Sequence, residues 1–185
     1  MEIKRLGMIV NEKMKGMPIT TKKEIILGID PGFGRVGFGI IEGNKNNWKA
    51  IDYGCIETSS GREFVDRLAE LHKKIVELIK KYRPTRMAVE ELFFFKNLKT
   101  AINVGQARGV ILLAGVENDL PVDEFTPLQI KQAITGYGRA EKDQVQKMVA
   151  AILNIKEKIK SDDAADALAC ALCAGQSLWL KKLKG

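Results

Sequence analysis

The chain is poor in the residues that build soft-metal and disulfide sites. It has one histidine, His72, and three cysteines, Cys55, Cys170 and Cys173, among 185 residues. Three scattered cysteines do not make a disulfide framework and point to a reducing, cytoplasmic setting. A structural zinc site takes about four good ligands. Cys170 and Cys173 have half-site spacing, but they lie inside the helical run AADALACALCAG, with one histidine in the whole chain. They therefore read as small core residues, and His72, on a lysine-rich helix, as surface. No apolar run approaches the roughly 20 residues that cross a bilayer. Residues 1–23 are basic and rich in methionine, without the apolar core and cleavage site of a signal peptide. They read as a poorly ordered extension, with Met8, Met14 and Met17 as alternative starts.

Positive charge is in excess. The net charge is +7. That fits either a solvated lysine-rich surface or a polyanionic partner, most often nucleic acid. Apolar residues make up 45% of the chain, which suits one domain with a proper core.

The rest of the chain is organised around Ile25 to Gly34, IILGIDPGFG. Ile25, Ile26, Leu27 and Ile29 follow one another without polar alternation, the pattern of a strand buried on both faces. Pro31 and Gly32 stop it, Gly32 because it tolerates unusual backbone angles. Asp30 is thus fixed at the end of a core strand, where a carboxylate is costly unless something cationic meets it. Arg35 to Glu42 and Trp48 to Thr58 complete a three-stranded antiparallel meander. A helix follows over about Arg62 to Tyr82, then a strand over Arg86 to Leu92. A second helix runs from about Leu98 to Asn118, and its small residues Ala101, Gly105, Ala107, Gly109, Ala114 and Gly115 read as a face that permits close approach by another element. Pro121 to Phe125 is a fifth strand. Helices over Pro127 to Thr135, Glu141 to Leu153 and Asp162 to Gln176 close the chain. Meander, then alternating helix and strand, gives an α/β mixed five-stranded sheet flanked by helices.

Four acids sit in apolar surroundings. Asp30 and Glu90 end strands, and Asp163 and Asp166 share a face of the last helix. Asp162 is explained by the helix start, with Ser161 as cap; Asp166 lies beyond the first turn and is not. Spacing alone does not choose Asp162 over Asp163, because Asp162 and Asp166 are also helical neighbours. Oxygen ligands without a histidine or cysteine cluster suit a hard cation such as Mg²⁺ or Mn²⁺. Three or four carboxylates can hold two such ions about 4 Å apart for phosphodiester cleavage.

The motifs GIDPG, AVEELFF, GQARG, QIKQAITGYG, AEKDQVQ and DAADALA occur in this order. In them the chain resembles the RuvC family of bacterial Holliday junction resolvases, over about Leu27 to Ala174. The resemblance implies an RNase H-like fold and a homodimer, with the small-residue face of the second helix as the candidate dimer interface. It implies Mg²⁺-dependent cutting, with two ions per site and Mn²⁺ as a substitute, of two strands of like polarity at a four-way DNA junction. It implies work beside a branch-migration motor. By the resemblance the catalytic, metal-holding carboxylates are Asp30, Glu90, Asp163 and Asp166. Phe93 is the residue that stacks in the junction. Lys131 and Lys142 contact DNA, and Lys142 also assists the chemistry. The chain departs from the family in its long extension and in the extra acids Glu91 and Asp162. The expected layout is the extension over 1–23, the nuclease domain over 24–176 and a basic tail over 177–185. Rival readings are an RNase H-like nuclease acting on RNA, an actin-like nucleotide-binding protein built on the Asp30 to Gly39 turn, and a non-catalytic junction-binding module.

Overall fold

The computed structural model describes residues 23–45, 47–92 and 98–184. Three strands come first, β1 (Glu24–Asp30), β2 (Arg35–Asn44) and β3 (Asn47–Glu57). Then come α1 (Phe64–Tyr82), β4 (Arg86–Glu90), α2 (Leu98–Glu117) and β5 (Val122–Phe125). Three helices end the chain: α3 (Pro127–Thr135), α4 (Lys142–Ile152) and α5 (Asp162–Lys184). The strands form one sheet in the order β3-β2-β1-β4-β5. The first three pair antiparallel, while β4 joins parallel to β1 and β5 parallel to β4. Among the described residues, no helix is long and apolar enough to cross a membrane.

The unbroken apolar run of β1 is explained by its two covered faces. Leu27 and Ile29 join Met87 and Val89 of β4 in a cluster with Leu71, Ile75, Ala107 and Ile111 of α1 and α2. Ile26 and Ala88 point the other way, into a cluster with Leu168, Ala171 and Leu172 of α5 and residues of α3 and α4. Each large side chain so buried contributes about 1.5–3 kcal/mol.

On that second face the sheet is floored with small residues, so α5 comes down onto it. A Cβ at Gly28 would lie 2.1 Å from the carbonyl oxygen of Ala167, and one at Gly37 would lie 2.0 Å from that of Asp163. No side chain fits in those gaps, so glycine there sets how close the helix sits.

Three expectations change. The last helix does not stop near Gln176, and most of the expected basic tail is its final turns. Gly175 lies inside it, where a Cβ would be 2.6 Å from Trp48 Cζ2, so its smallness makes room for the indole. Second, the small residues of α2 do not share one face. Ala101, Ala107 and Ala114 are buried against the sheet, and a Cβ at Gly115 would meet Met87 Cε at 2.4 Å. Gly105 and Gly109 face outward, with nothing within 4 Å of a Cβ. Third, His72 is more than a surface residue: its Nε2 lies 2.8 Å from Glu117 Oε2, tying α1 to α2. Cys170 and Cys173 are buried core residues, as expected, and burial pushes the Cys173 thiol up to about 12.

Candidate active site

The site begins at the carboxyl ends of two neighbouring parallel strands. Ile29 of β1 is paired with Val89 of β4, so the next residues, Asp30 and Glu90, end side by side. Adjacent strands lie about 4.8 Å apart. Side chains alternate along a strand, which puts Asp30 on the face of Gly28 and Glu90 on the face of Ala88. That is the face covered by α5.

The turn after Asp30 is braced. Thr58 donates from its amide to Gly34 O at 3.2 Å and from its hydroxyl to Phe33 O at 3.3 Å. The Phe33 ring stacks on Phe64 with centroids 4.8 Å apart, and the Arg67 guanidinium lies 3.9 Å above it. Gly32 is needed for space and not for its backbone angles: a Cβ would lie 1.9 Å from Arg35 O, while Gly136 is the positive-φ glycine among the described residues.

Helix α5 brings the other two acids. Gly37 pairs with Asp30 across β1 and β2, and the backbone of Asp163 rests on Gly37. The start of α5 therefore lies directly over Asp30. Ser161 caps it, accepting the Ala164 amide at 3.4 Å. Asp166 follows Asp163 by nearly one turn and faces the same way. Asp162 points elsewhere: it accepts from Gln146 Nε2 at 2.9 Å.

Two lysines complete the walls. Lys131 of α3 and Lys142 at the start of α4 line a cavity of about 150 Å³ with Glu90 and Asp166. Lys142 Nζ lies 2.9 Å from Asp166 Oδ2 and 3.4 Å from Asp162 Oδ2. α3 is held by a capping box in which Thr126 and Gln129 satisfy each other's backbone amides, with Pro127 at its first position.

The buried acids act on one another electrostatically. Burial, then the charges of Glu90, Asp166 and Asp163, push the Asp30 carboxyl up to about 8. Burial and the charge of Asp166 push Glu90 up to about 7, against the pull of Lys142 and Lys131. Asp166 is raised by burial, with Lys142 opposing. Asp162 is lowered, first by its hydrogen bond from Gln146 and then by Lys142. Burial would lower Lys142, but the hydrogen bond and charge of Asp166 outweigh it and hold its ammonium above the usual range.

The sequence-predicted residues Asp30, Glu90, Asp163, Asp166, Lys131 and Lys142 thus come together. Phe93 lies outside the described residues. Sequence reasoning missed Arg35, whose Nη1 lies 3.7 Å from Asp163 Oδ2 and which also pairs with Glu57 at 3.2 Å. It also missed Cys55, whose Sγ lies 2.9 Å from Ser161 Oγ, beside Asp163. Strand pairing places both: Gly37 is opposite Cys55 and Arg35 opposite Glu57. Nothing in their local sequence marks them.

The donor set is all carboxylate oxygen, the type that suits a hard divalent cation. Among the described residues no three acid, histidine or cysteine side chains are gathered round one point. Asp166 turns to Lys142 and Asp163 toward Arg35. Burial, and after it mutual repulsion, raises Asp30 and Glu90; a divalent cation at the carboxylates offsets both, so the residues fit one.

Comparison with known proteins shows the family. Residues 26–174 match the family described as crossover junction endodeoxyribonuclease RuvC. The protein of that name from Halothermothrix orenii is 56% identical over 161 residues, 87% of this chain and 98% of that protein. The one from Moorella thermoacetica is 53% identical, over 86% and 96% of the two chains. Among solved structures, T. thermophilus RuvC in complex with a Holliday junction substrate superposes with a TM-score of 0.82. The two are 33% identical over 85% of this chain and 96% of that one. The yeast mitochondrial resolvase Ydc2, 15% identical with a TM-score of 0.61, shares the fold. On a family match spanning most of the chain and on relatives more than half identical, the chain belongs to the crossover junction endodeoxyribonuclease RuvC family.

Proposed function

We propose that this protein is a Holliday junction resolvase, cutting two strands of like polarity at a four-way DNA junction by Mg²⁺-dependent hydrolysis. The observation that carries the reading is the meeting of Glu90 of β4 and Asp166 of α5 on one cavity walled by Lys131 and Lys142, with Asp30 of β1 close enough to feel the charge of both. Asp30, Glu90, Asp163 and Asp166 hold two Mg²⁺ ions, for which Mn²⁺ can substitute. Bound there, the ions supply an activated water and neutralise the leaving oxygen. Lys131 attracts the phosphate that the acids alone would repel. Lys142, kept protonated by Asp166, stabilises charge developing on the scissile phosphate. Asp162 orients Lys142 and starts the helix, outside the metal shell.

The test is incubation with a synthetic four-way junction, a linear duplex and an RNA–DNA hybrid, each with and without Mg²⁺. Paired, symmetric nicks in the junction alone, only with metal, are expected. Preferential cutting of the hybrid establishes the RNA nuclease reading instead. No cutting of any substrate with Mg²⁺ or Mn²⁺ overturns nuclease function.

Two matched cuts call for two matched sites, and a two-fold dimer supplies them. The surface that fits a second copy is the outward stripe of α2. Ile102, Leu113 and Val116 are 55%, 51% and 65% exposed, and Gly105 and Gly109 lie between them, open to close approach. Leu113→Glu buries a charge in such an interface. Sedimentation at micromolar concentration should show the wild type as a dimer and the variant as a monomer that no longer makes paired cuts. A variant that stays dimeric places the interface elsewhere.

A further inference from the structure

The turn between α3 and α4 carries a feature that the carboxylate site does not use. Tyr137 is 59% exposed, although it is a large aromatic residue. A single exposed ring needs no explanation by itself; its mounting and its neighbours do.

The turn is tightly held. Gly136 adopts φ 74° and its amide bonds to Gln132 O at 2.9 Å. Gln132 Nε2 donates to Gly136 O at 2.8 Å. Thr135 Oγ1 lies 2.9 Å from both the Lys131 and the Tyr137 carbonyl oxygens, and it accepts the Tyr137 amide hydrogen at 3.2 Å. The Ala140 amide closes the turn onto Tyr137 O at 3.1 Å. A Cβ at Gly138 would lie 2.6 Å from Leu128 Cδ1, so the turn is also pressed against α3. The ring is thus displayed from an ordered backbone, so the turn itself needs no ordering when it meets a partner.

The surroundings are cationic. Lys131 and Lys142, at the two ends of the segment, both line the carboxylate cavity, and Arg139 is exposed within it. Glu141 is the acid among them. An outward aromatic on the turn that joins the two helices carrying Lys131 and Lys142 into the cavity, with Arg139 exposed beside it in the chain, supplies the pair of groups that grips unpaired nucleic acid, charge for the backbone and a flat ring for a base.

We infer that Tyr137 is a DNA-stacking residue, whose ring packs on an exposed base at the junction beside the strand to be cut. This rests on the junction-resolving reading above and adds a contact to it.

The test is junction binding in EDTA, where no cutting occurs, over a series of salt concentrations. Tyr137→Leu should weaken binding about 5- to 100-fold, the worth of one base–aromatic stack. Tyr137→Phe should bind as the wild type does, because stacking needs the ring and not the hydroxyl. The slope of log K against log salt should not change for Tyr137→Leu, since no phosphate contact is lost. A junction with 2-aminopurine at one crossover position should be quenched by the wild type and Tyr137→Phe but not by Tyr137→Leu. Should Tyr137→Leu melt early, Tyr137→Trp decides: a larger ring should bind at least as tightly, and weaker binding overturns the inference. Equal binding by wild type and a folded Tyr137→Leu overturns it too, as does a loss that comes with a shallower salt slope. Failure of the wild type to bind the junction defeats the junction reading itself, a separate result.

Discussion

Asp166→Asn is expected to lower junction cutting in Mg²⁺ by at least about a thousand-fold, the equivalent of about 4 kcal/mol. The variant keeps the shape of the side chain and removes one charge and one oxygen donor. Asp166 faces the same cavity as Glu90, and its charge is among the causes that raise both Asp30 and Glu90. In EDTA the variant should bind the junction at least as tightly as the wild type. A charge that repels phosphate has gone, and Lys142 loses the nearer of its two carboxylate partners, Asp166 at 2.9 Å, leaving more of its charge for the DNA. Asp30→Asn and Glu90→Gln should show the same pair of effects. Asp162→Asn should keep most of its activity, since Asp162 points to Gln146 and Lys142. The measurement is a gel-shift titration in EDTA beside a cleavage assay in Mg²⁺. Weaker binding by a well-folded Asp166→Asn would make this aspartate structural, and retained cutting would remove it from the site.

The metal-free protein should lose stability as pH rises across neutrality, and Asp30 should be the main cause. Its carboxyl is pushed from an ordinary 3.8 up to about 8, and that of Glu90 from 4.5 up to about 7. The folded protein therefore holds protons that the unfolded chain gives up above about pH 4. With fewer protons on the unfolded state, the slope of stability against pH is negative through this window, and the loss is complete above the folded pKa values. Asp30→Asn cannot ionise and relieves its neighbours. Its melting temperature should exceed that of the wild type by a margin that grows from pH 5 to pH 8, reaching more than about 3 °C, the shift that roughly 1 kcal/mol gives in a domain of this size. Millimolar Mg²⁺ should raise the wild-type melting temperature more at pH 8 than at pH 5, because ligands binding only the folded state stabilise it. Melting curves in EDTA that stay parallel across pH would show that the acids are too far apart, or too well solvated, to strain the fold.

Much of this was legible from local pattern. The continuous apolar run of β1 announced a strand covered on both sides, and the helix expected over Pro127 to Thr135 is α3. Asp30, Glu90 and Asp166 stood out because a charge inside an apolar run needs a reason. Where local reading failed, a distant partner had changed the meaning of a residue. The last helix reads as ending near Gln176, yet it runs on to Lys184, with Gly175 inside it making room for Trp48. The alanines and glycines of α2 look like one smooth face until the sheet claims Ala107, Ala114 and Gly115 and leaves Gly105 and Gly109 outside. Arg35 and Cys55 carry no local mark at all, and only strand pairing and the approach of α5 bring them to Asp163.

By itself, the sequence determined the order of strands and helices, the oxygen-only chemistry of the acidic set and, through its ordered motifs, the family. These follow from periodicity and residue type, which act over a few positions along the chain. The tertiary structure alone decided how the charges meet. Glycines at 28 and 37 let α5 settle onto the sheet, and that contact puts Asp163 and Asp166 over Asp30 and Glu90. The same packing turns Lys142 to Asp166, while Tyr137 stays exposed on the turn between α3 and α4. Coulomb interaction and exclusion of atoms depend on separation in space, and separation in space is set by the close packing of elements far apart in the chain.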